Sequence, residues 1–179
     1  HGFRGNAEAG AMISSGKDPE TGIDVVSLYG KNKKPTQEQT KRCDVILFDL
    51  QDVGCRFYTY ISTLTYVMQA CSEANIPLIV LDRPNPNDYI DGPVMEDKYK
   101  SFVGLHNIPV VYGLTIGEYA LMVNNEGWLE GGRKCDLRII GLQNWFHDMP
   151  SAYSLPVAPS PNLPTDKAIA LYPSLCLLE

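Results

Sequence analysis

The chain has 179 residues, 44% of them hydrophobic and 20% charged, enough apolar material for one packed domain and too much for a disordered tail. Its 21 acidic and 15 basic residues leave a net charge of -6, and the only notable basic cluster, KNKK at 31–34, is no substitute for the basic stripe a nucleic-acid surface needs. No apolar run approaches the roughly 20 residues that cross a bilayer. Five cysteines without CxxC spacing signal neither a disulfide framework nor a zinc site, and most read as core residues.

In chain order, DVVSLYG (24–30) is a short strand candidate. PTQEQTKRC (35–43) follows, with Thr36 and Gln39 at capping-box spacing for a short helix. DVILFDL (44–50) reads as a buried strand. Ile61, Leu64, Val67, Met68, Cys71 and Ala74 then recur at helical spacing, which predicts an amphipathic helix over 58–75. IPLIVLDRP (76–84) is a second apolar strand, stopped by Pro84 and Pro86. Two apolar strands joined by a helix are what a parallel sheet covered on both faces requires. The fold class is therefore α/β, a layered domain with a mainly parallel sheet. Beyond a loop rich in Gly, Pro and Asp (85–107), IPVVYG (108–113) suggests a strand, TIGEYALMVNNEGWL (115–129) a helix and CDLRIIGL (135–142) a further strand. PVAPSPNLPT (156–165) is a loop too punctuated by proline for regular structure.

Ligands of open α/β sheets gather at the carboxyl ends of the strands. Both best strands end there in polar clusters: Asp49, Gln51, Asp52 and Arg56 after the first, and Asp82, Arg83, Asn85 and Asn87 after the second. Carboxylates, amides and guanidinium groups side by side suit a polyhydroxylated or anionic ligand. The alternative for each is structural: Asp49 and Asp82 as caps, Arg56 and Arg83 as their ion-pair partners. Glu118 likewise stands at N3 of a capping box begun by Thr115. His1, His106 and His147 are too scattered for a metal motif, and no P-loop, GxGxxG or GxSxG follows a strand, so no metal or nucleotide cofactor is called for. His1 and Arg4 lie in a glycine-spaced stretch, HGFRGNAEAG, that reads either as ligand-approaching backbone or as a flexible terminus.

HGFRGNAEAG, VVSLYGKNKKPT, ILFDLQDVGCRFYTYISTLTYVM, VLDRPNP, GPV, SFVG, IPVVYGLTIGEYA, PSPNLPT and YPSLCLLE, taken together and in this order, resemble the NamZ-type exo-β-N-acetylmuramidases, glycosidases of bacterial peptidoglycan recycling. The resemblance implies a Rossmann-like domain whose cleft, without a cofactor, releases N-acetylmuramic acid from non-reducing ends of peptidoglycan fragments, outside the cytoplasm, in the periplasm or secreted. It makes His1, Arg4, Gln51, Arg56, Tyr58, Arg83, Asn85 and Asn162 substrate-binding candidates, with the arginines suited to the lactyl carboxylate of muramic acid. Glycosidic cleavage needs an acid for the leaving oxygen and a second group as nucleophile or base; Asp52, Glu118 and Glu179 are candidates for the second. The family carries a glutamate just before the HGFRG segment, its leading candidate acid, and a Gly-Thr-Asn segment after the glutamate matched by Glu179. Residues 1–179 then correspond to a Rossmann-like catalytic domain truncated at both ends, without the family's C-terminal domain. Such a piece is expected to associate with the missing segments or a second chain, and to be inactive alone. Two rival readings are a non-catalytic cell-wall glycan-binding module and a Rossmann-like phosphosugar enzyme, the latter disfavoured by the missing glycine fingerprint.

Overall fold

The computed structural model describes residues 12–30, 32–147 and 154–178. It opens with an antiparallel pair, β1 (Gly16–Lys17) and β2 (Asp24–Val25), whose connecting turn is closed by the Asp18 carboxylate accepting from the amide and hydroxyl of Thr21 at 2.9 and 2.6 Å. The strand expected over 24–30 ends at Val25 and stays outside the main sheet. Beyond it, hydroxyls take the amides a ladder would use: Ser27 N–H donates to Ser15 Oγ and Tyr29 N–H to Ser27 Oγ. Helix α1 (Gln37–Thr40) has the expected capping box, with Thr36 and Gln39 each bonding the other's backbone amide.

The centre is a three-stranded parallel sheet of β3 (Ile46–Phe48), β4 (Leu78–Leu81) and β7 (Leu137–Ile140), in the order β3-β4-β7. Helix α2 (Tyr60–Ala74) joins the first two strands, and α3 (Ile116–Asn125) lies between the second and third in sequence. The α/β class is as the apolar periodicity predicts. Ile46, Phe48, Leu78, Val80, Leu137 and Ile139 point to one face and pack with Ile61, Leu64, Met68, Ile116, Ala120 and Val123 of the two helices. Each large side chain removed from water there contributes about 1.5–3 kcal/mol. The other face corrects the expectation of two covered sides. Leu47 and Ile140 are 60% and 57% exposed, because none of the described helices packs across that side of the strands.

Strand β6 (Val111–Tyr112) is shorter than the sequence suggests and pairs antiparallel with β5 (Ile90–Asp91) instead of joining the parallel sheet. Helix α3 stops at Asn125, short of 129. Gly127 at φ 67 lets the amide of Trp128 turn back to the carbonyl of Val123 and that of Gly127 to Asn124, at 3.0 and 3.4 Å. The proline-rich loop is irregular over 154–165, as expected, but it leads into a helix the sequence reading passed over, α4 (Asp166–Leu175), started by Thr165. Pro173 inside α4 masks the helical pattern and has no N–H for the carbonyl of Ile169, four residues earlier. That carbonyl accepts from Asn87 Nδ2 at 3.1 Å. Cys55, Cys71, Cys135 and Cys176 are buried thiols and Cys43 is exposed, in line with their reading as core residues.

Candidate active site

Because β3 and β4 run parallel as neighbours, their carboxyl ends bring both polar clusters together. Arg83 reaches Asp49 at 2.6 Å, which realises the ion-pair alternative for that pair. Gln51 spans the gap by donating to the carbonyls of Asp52 and Pro84 at 2.7 and 2.8 Å. Among the described residues no arginine side chain bonds Asp82. Its carboxylate caps α3, accepting from Gly117 N at 2.8 Å, Thr115 Oγ1 at 2.8 Å and its neighbour Arg83 N at 2.9 Å. A Cβ on Gly117 would sit 2.7 Å from the Asp82 carboxyl carbon, so the strand end and helix start meet at backbone distance.

Between them lies a depression of about 160 Å³ lined by Asp52, Gly54, Arg83, Pro84, Asn85, Leu114 and Ile116. It is too shallow to enclose a ligand by itself. The described residues thus form one polar wall at the carboxyl edge of the sheet.

Asp52 is the most perturbed carboxyl on that wall. Its Oδ1 accepts from Gly54 N at 2.8 Å and from the Tyr112 hydroxyl, while its buried Oδ2 has no hydrogen-bond partner among the described residues. Burial pushes its pKa up to about 7, against the opposing pull of Tyr112 and the Gly54 and Val53 amides. Gly54, at φ 76, is pressed against Asn85, whose amide oxygen would lie 2.1 Å from an added Cβ. Asn85 itself donates to the Leu114 carbonyl at 3.0 Å and accepts from Asn87 N at 2.9 Å. Asn87 is buried and also holds the Val53 carbonyl at 2.8 Å.

Glu118 completes the capping box with Thr115, at 2.8 and 3.2 Å, and also meets His147 Nε2 at 2.9 Å. Burial raises its pKa, but the Thr115 amide and His147 outweigh that and hold it below the usual carboxylate range. His147 Nδ1 is 2.6 Å from Asp88, so the imidazole bridges two carboxylates from separate segments.

The remaining candidates sit further from the wall. Arg56 is buried, donates to the Ile108 carbonyl at 2.6 Å and lies over the Phe57 ring; its Nε has no hydrogen-bond partner among the described residues. It anchors the 104–110 segment, and its bonds go there and not to Asp52. Tyr58 donates to the Pro159 carbonyl at 2.7 Å and meets the Tyr60 and Tyr172 rings edge-on, pinning the proline-rich loop. Asn162 is exposed on that loop, its amide on Ser160 Oγ. His1, Arg4 and Glu179 lie outside the described residues. Sequence reading missed Tyr112 and His147. A tyrosine closing an apolar strand signals a hydroxyl in need of a partner, though not which one. Among the described residues no group of His, Cys, Asp or Glu is arranged to hold a metal ion, and no helix is long and apolar enough to cross a membrane.

Fold and site define an α/β domain that presents carboxylates, amides and a guanidinium at the carboxyl edge of a parallel sheet, a surface suited to a polyhydroxylated, anionic ligand. The family model for the N-terminal part of the exo-β-N-acetylmuramidase NamZ matches residues 1–167. The chain belongs to this family. It is 48% identical over 183 aligned positions to the peptidoglycan β-N-acetylmuramidase NamZ of Bacillus subtilis, a match that covers 100% of this chain and 43% of that protein. Two crystal structures of DUF1343 family proteins from Bacteroides fragilis superpose on it. One has a TM-score of 0.86 and 48% identity, covering 99% of this chain and 46% of its own. The other has 0.83 and 43%, covering 90% and 43%. The chain spans less than half the length of these relatives.

Proposed function

We propose that the protein is a glycoside hydrolase that releases N-acetylmuramic acid from the non-reducing ends of peptidoglycan fragments. One observation carries the mechanism: Asp52, which lines the depression, and Glu118, outside that lining in the first turn of α3, are carboxyls whose surroundings push them in opposite directions. Asp52 is raised to about 7 by burial, while Glu118, tied to the Thr115 amide and His147, is held low. A carboxyl kept protonated near neutral pH suits protonation of the leaving oxygen, a role other than the one the resemblance implies, where the glutamate before HGFRG is the leading acid and Asp52 a candidate for the second group. One kept ionised suits stabilisation of the oxocarbenium-like centre or activation of water. Arg83 lines the depression and supplies the cation for the lactyl carboxylate, exchanging or sharing its bond to Asp49. Gln51 and Asn85 spend their amide protons on backbone carbonyls, so their part is to shape the wall. The Bacillus subtilis relative, a peptidoglycan β-N-acetylmuramidase, supports the substrate class, and a substrate of this kind favours a reaction outside the cytoplasm.

The test uses full-length protein and chromogenic β-glycosides of N-acetylmuramic acid and N-acetylglucosamine. Expected is aglycone release from the muramic acid glycoside at least tenfold faster than from its lactyl-free counterpart, and a drop of about 10²-fold or more in D52N. Full-length protein that binds the glycoside in calorimetry without cleaving it on long incubation identifies a glycan-binding module instead.

A further inference from the structure

Strand β7 runs parallel beside β4, so its carboxyl end opens onto the same edge of the sheet as the polar wall. Three rings follow it in succession, Trp145, Phe146 and His147. Asn144 turns the chain into them at φ 57, a left-handed conformation that asparagine tolerates better than most residues. His147 is held at both ring nitrogens, Nδ1 by Asp88 at 2.6 Å and Nε2 by Glu118 at 2.9 Å. Trp145 stands edge-on to that imidazole, with ring centres 4.9 Å apart. The half-buried indole is thus seated on a fixed partner, and Phe146 beside it is 62% exposed.

The step from these rings to the depression is short. Ile116 lines the depression, and Glu118, in the same first turn of α3, holds His147. A Cβ on Gly117, between them, would meet the Asp82 carboxyl carbon and the Ile139 side chain at 2.7 and 2.8 Å, so the helix start is pressed against the ends of both strands. A single exposed phenylalanine needs no explanation. Two adjacent aromatic side chains at the ligand-facing edge, one of them braced by a doubly bonded imidazole, do need one. A pyranose presents C–H bonds on its ring faces and hydroxyls at its rim, and flat apolar rings among polar groups match that pattern. The polar neighbours here are Asp88, Glu118 and Asn144, which suit hydroxyls and not an apolar protein surface.

We propose that Trp145 and Phe146 form the binding platform for the leaving sugar, stacking on the apolar face of the N-acetylhexosamine ring that follows the scissile bond. The proposal rests on the reading of the protein as a muramic acid glycosidase. With Arg83 taking the lactyl carboxylate at the depression, the muramic ring occupies that end of the site, and the next ring extends past the first turn of α3 to the platform. There the two side chains select a sugar as leaving group over a smaller alcohol. Their rings have only two side-chain torsions each, so little ordering is needed on binding.

The experiment uses full-length protein and two substrates with alkoxide leaving groups: the β-1,4-linked disaccharide of N-acetylmuramic acid with N-acetylglucosamine, and the methyl β-glycoside of N-acetylmuramic acid. Released N-acetylmuramic acid is measured for each. Expected in F146A and W145A is a fall of about tenfold or more in kcat/KM for the disaccharide, with the methyl glycoside nearly unchanged. F146Y, which keeps a ring, is expected to retain the disaccharide rate. Equal losses on both substrates, or a loss on neither, overturn the platform, and so does an F146Y variant as slow as F146A. Unaltered protein that cleaves neither substrate overturns the glycosidase reading, and the platform with it. Phe146 is exposed, so F146A is expected to melt with the unaltered protein. Should W145A fold poorly, the comparison of F146A with F146Y decides.

Discussion

Arg83 clasps Asp49 across the ends of β3 and β4, its Nε 2.7 Å and a terminal nitrogen 2.6 Å from the same carboxylate oxygen. Both side chains are more than a third exposed, at 41% and 47%. Pairs so exposed contribute less than about 1 kcal/mol. The value of the pair lies in holding a cation at the rim of the depression.

Replacing Arg83 with alanine is therefore expected to leave thermal stability within about 1 kcal/mol while weakening the muramic acid glycoside. The check is steady-state kinetics beside a melting curve. A KM at least tenfold higher for the muramic glycoside, with a smaller change for the N-acetylglucosamine one, is the outcome expected of a lactyl-binding guanidinium. Equal weakening of both would remove Arg83 from that role.

Gly54 tests how tightly the Asp52 turn is built. Alanine there meets the Asn85 amide oxygen at 2.1 Å and must hold φ at 76. A left-handed non-glycine residue costs roughly 1–3 kcal/mol before any clash is counted. Denaturant unfolding of G54A is expected to show at least that loss, with turnover falling as Asn85 and Asp52 are displaced. Unchanged stability would mean the turn relaxes freely.

Asn87 joins the carbonyl of Val53 to that of Ile169, the one Pro173 leaves open in α4. N87A leaves two buried carbonyls unpaired, for an expected loss of roughly 2–4 kcal/mol. The variant P173A restores a helical N–H for Ile169. The double variant N87A/P173A is expected to recover part of the loss in the same unfolding assay.

His147 makes stability depend on pH. Its hydrogen bond to Glu118, and then that to Asp88, raise its pKa above 6.5 in the folded chain. The bridge therefore stabilises the fold fully below about 6.5 and loses that contribution as pH rises through the higher folded value. On the acid side it persists until Glu118, whose folded pKa lies below 4.5, takes a proton. His106 acts in the opposite sense. Burial lowers it to about 4, so stability is lost as pH falls from about 6.5 toward 4. Subtracting H147A from unaltered protein isolates the bridge, and the difference in unfolding free energy should shrink between pH 6 and pH 9. A difference flat across that range would show that the His147 pKa is not raised by folding, which removes the charged bridge.

Much of the fold was legible before any coordinates. The apolar runs of β3 and β4, the 3.6-residue spacing of α2 and the two capping boxes at Thr36 and Thr115 rest on local chemistry. They depend only on neighbours three or four residues away. Helix α4 was hidden because Pro173 argues against a helix locally, and its compensation by Asn87 comes from 82 residues away. The open face of the sheet was hidden as well, since Leu47 and Ile140 look as apolar as their buried neighbours and exposure is a property of what packs across them.

The sequence by itself determined the α/β class, the polar clusters at the strand ends and, through resemblance, the family. It left Asp49, Asp82, Arg56 and Arg83 open between ion pairs and site residues. Tertiary structure decided that Arg83 pairs with Asp49, that Asp82 caps α3, that Arg56 bonds the Ile108 carbonyl, and that Tyr112, 60 residues from Asp52 in sequence, is the donor to its carboxyl. The reason is physical: hydrogen bonding between distant segments and the desolvation of a carboxyl depend on strand order and register, which only the assembled sheet specifies.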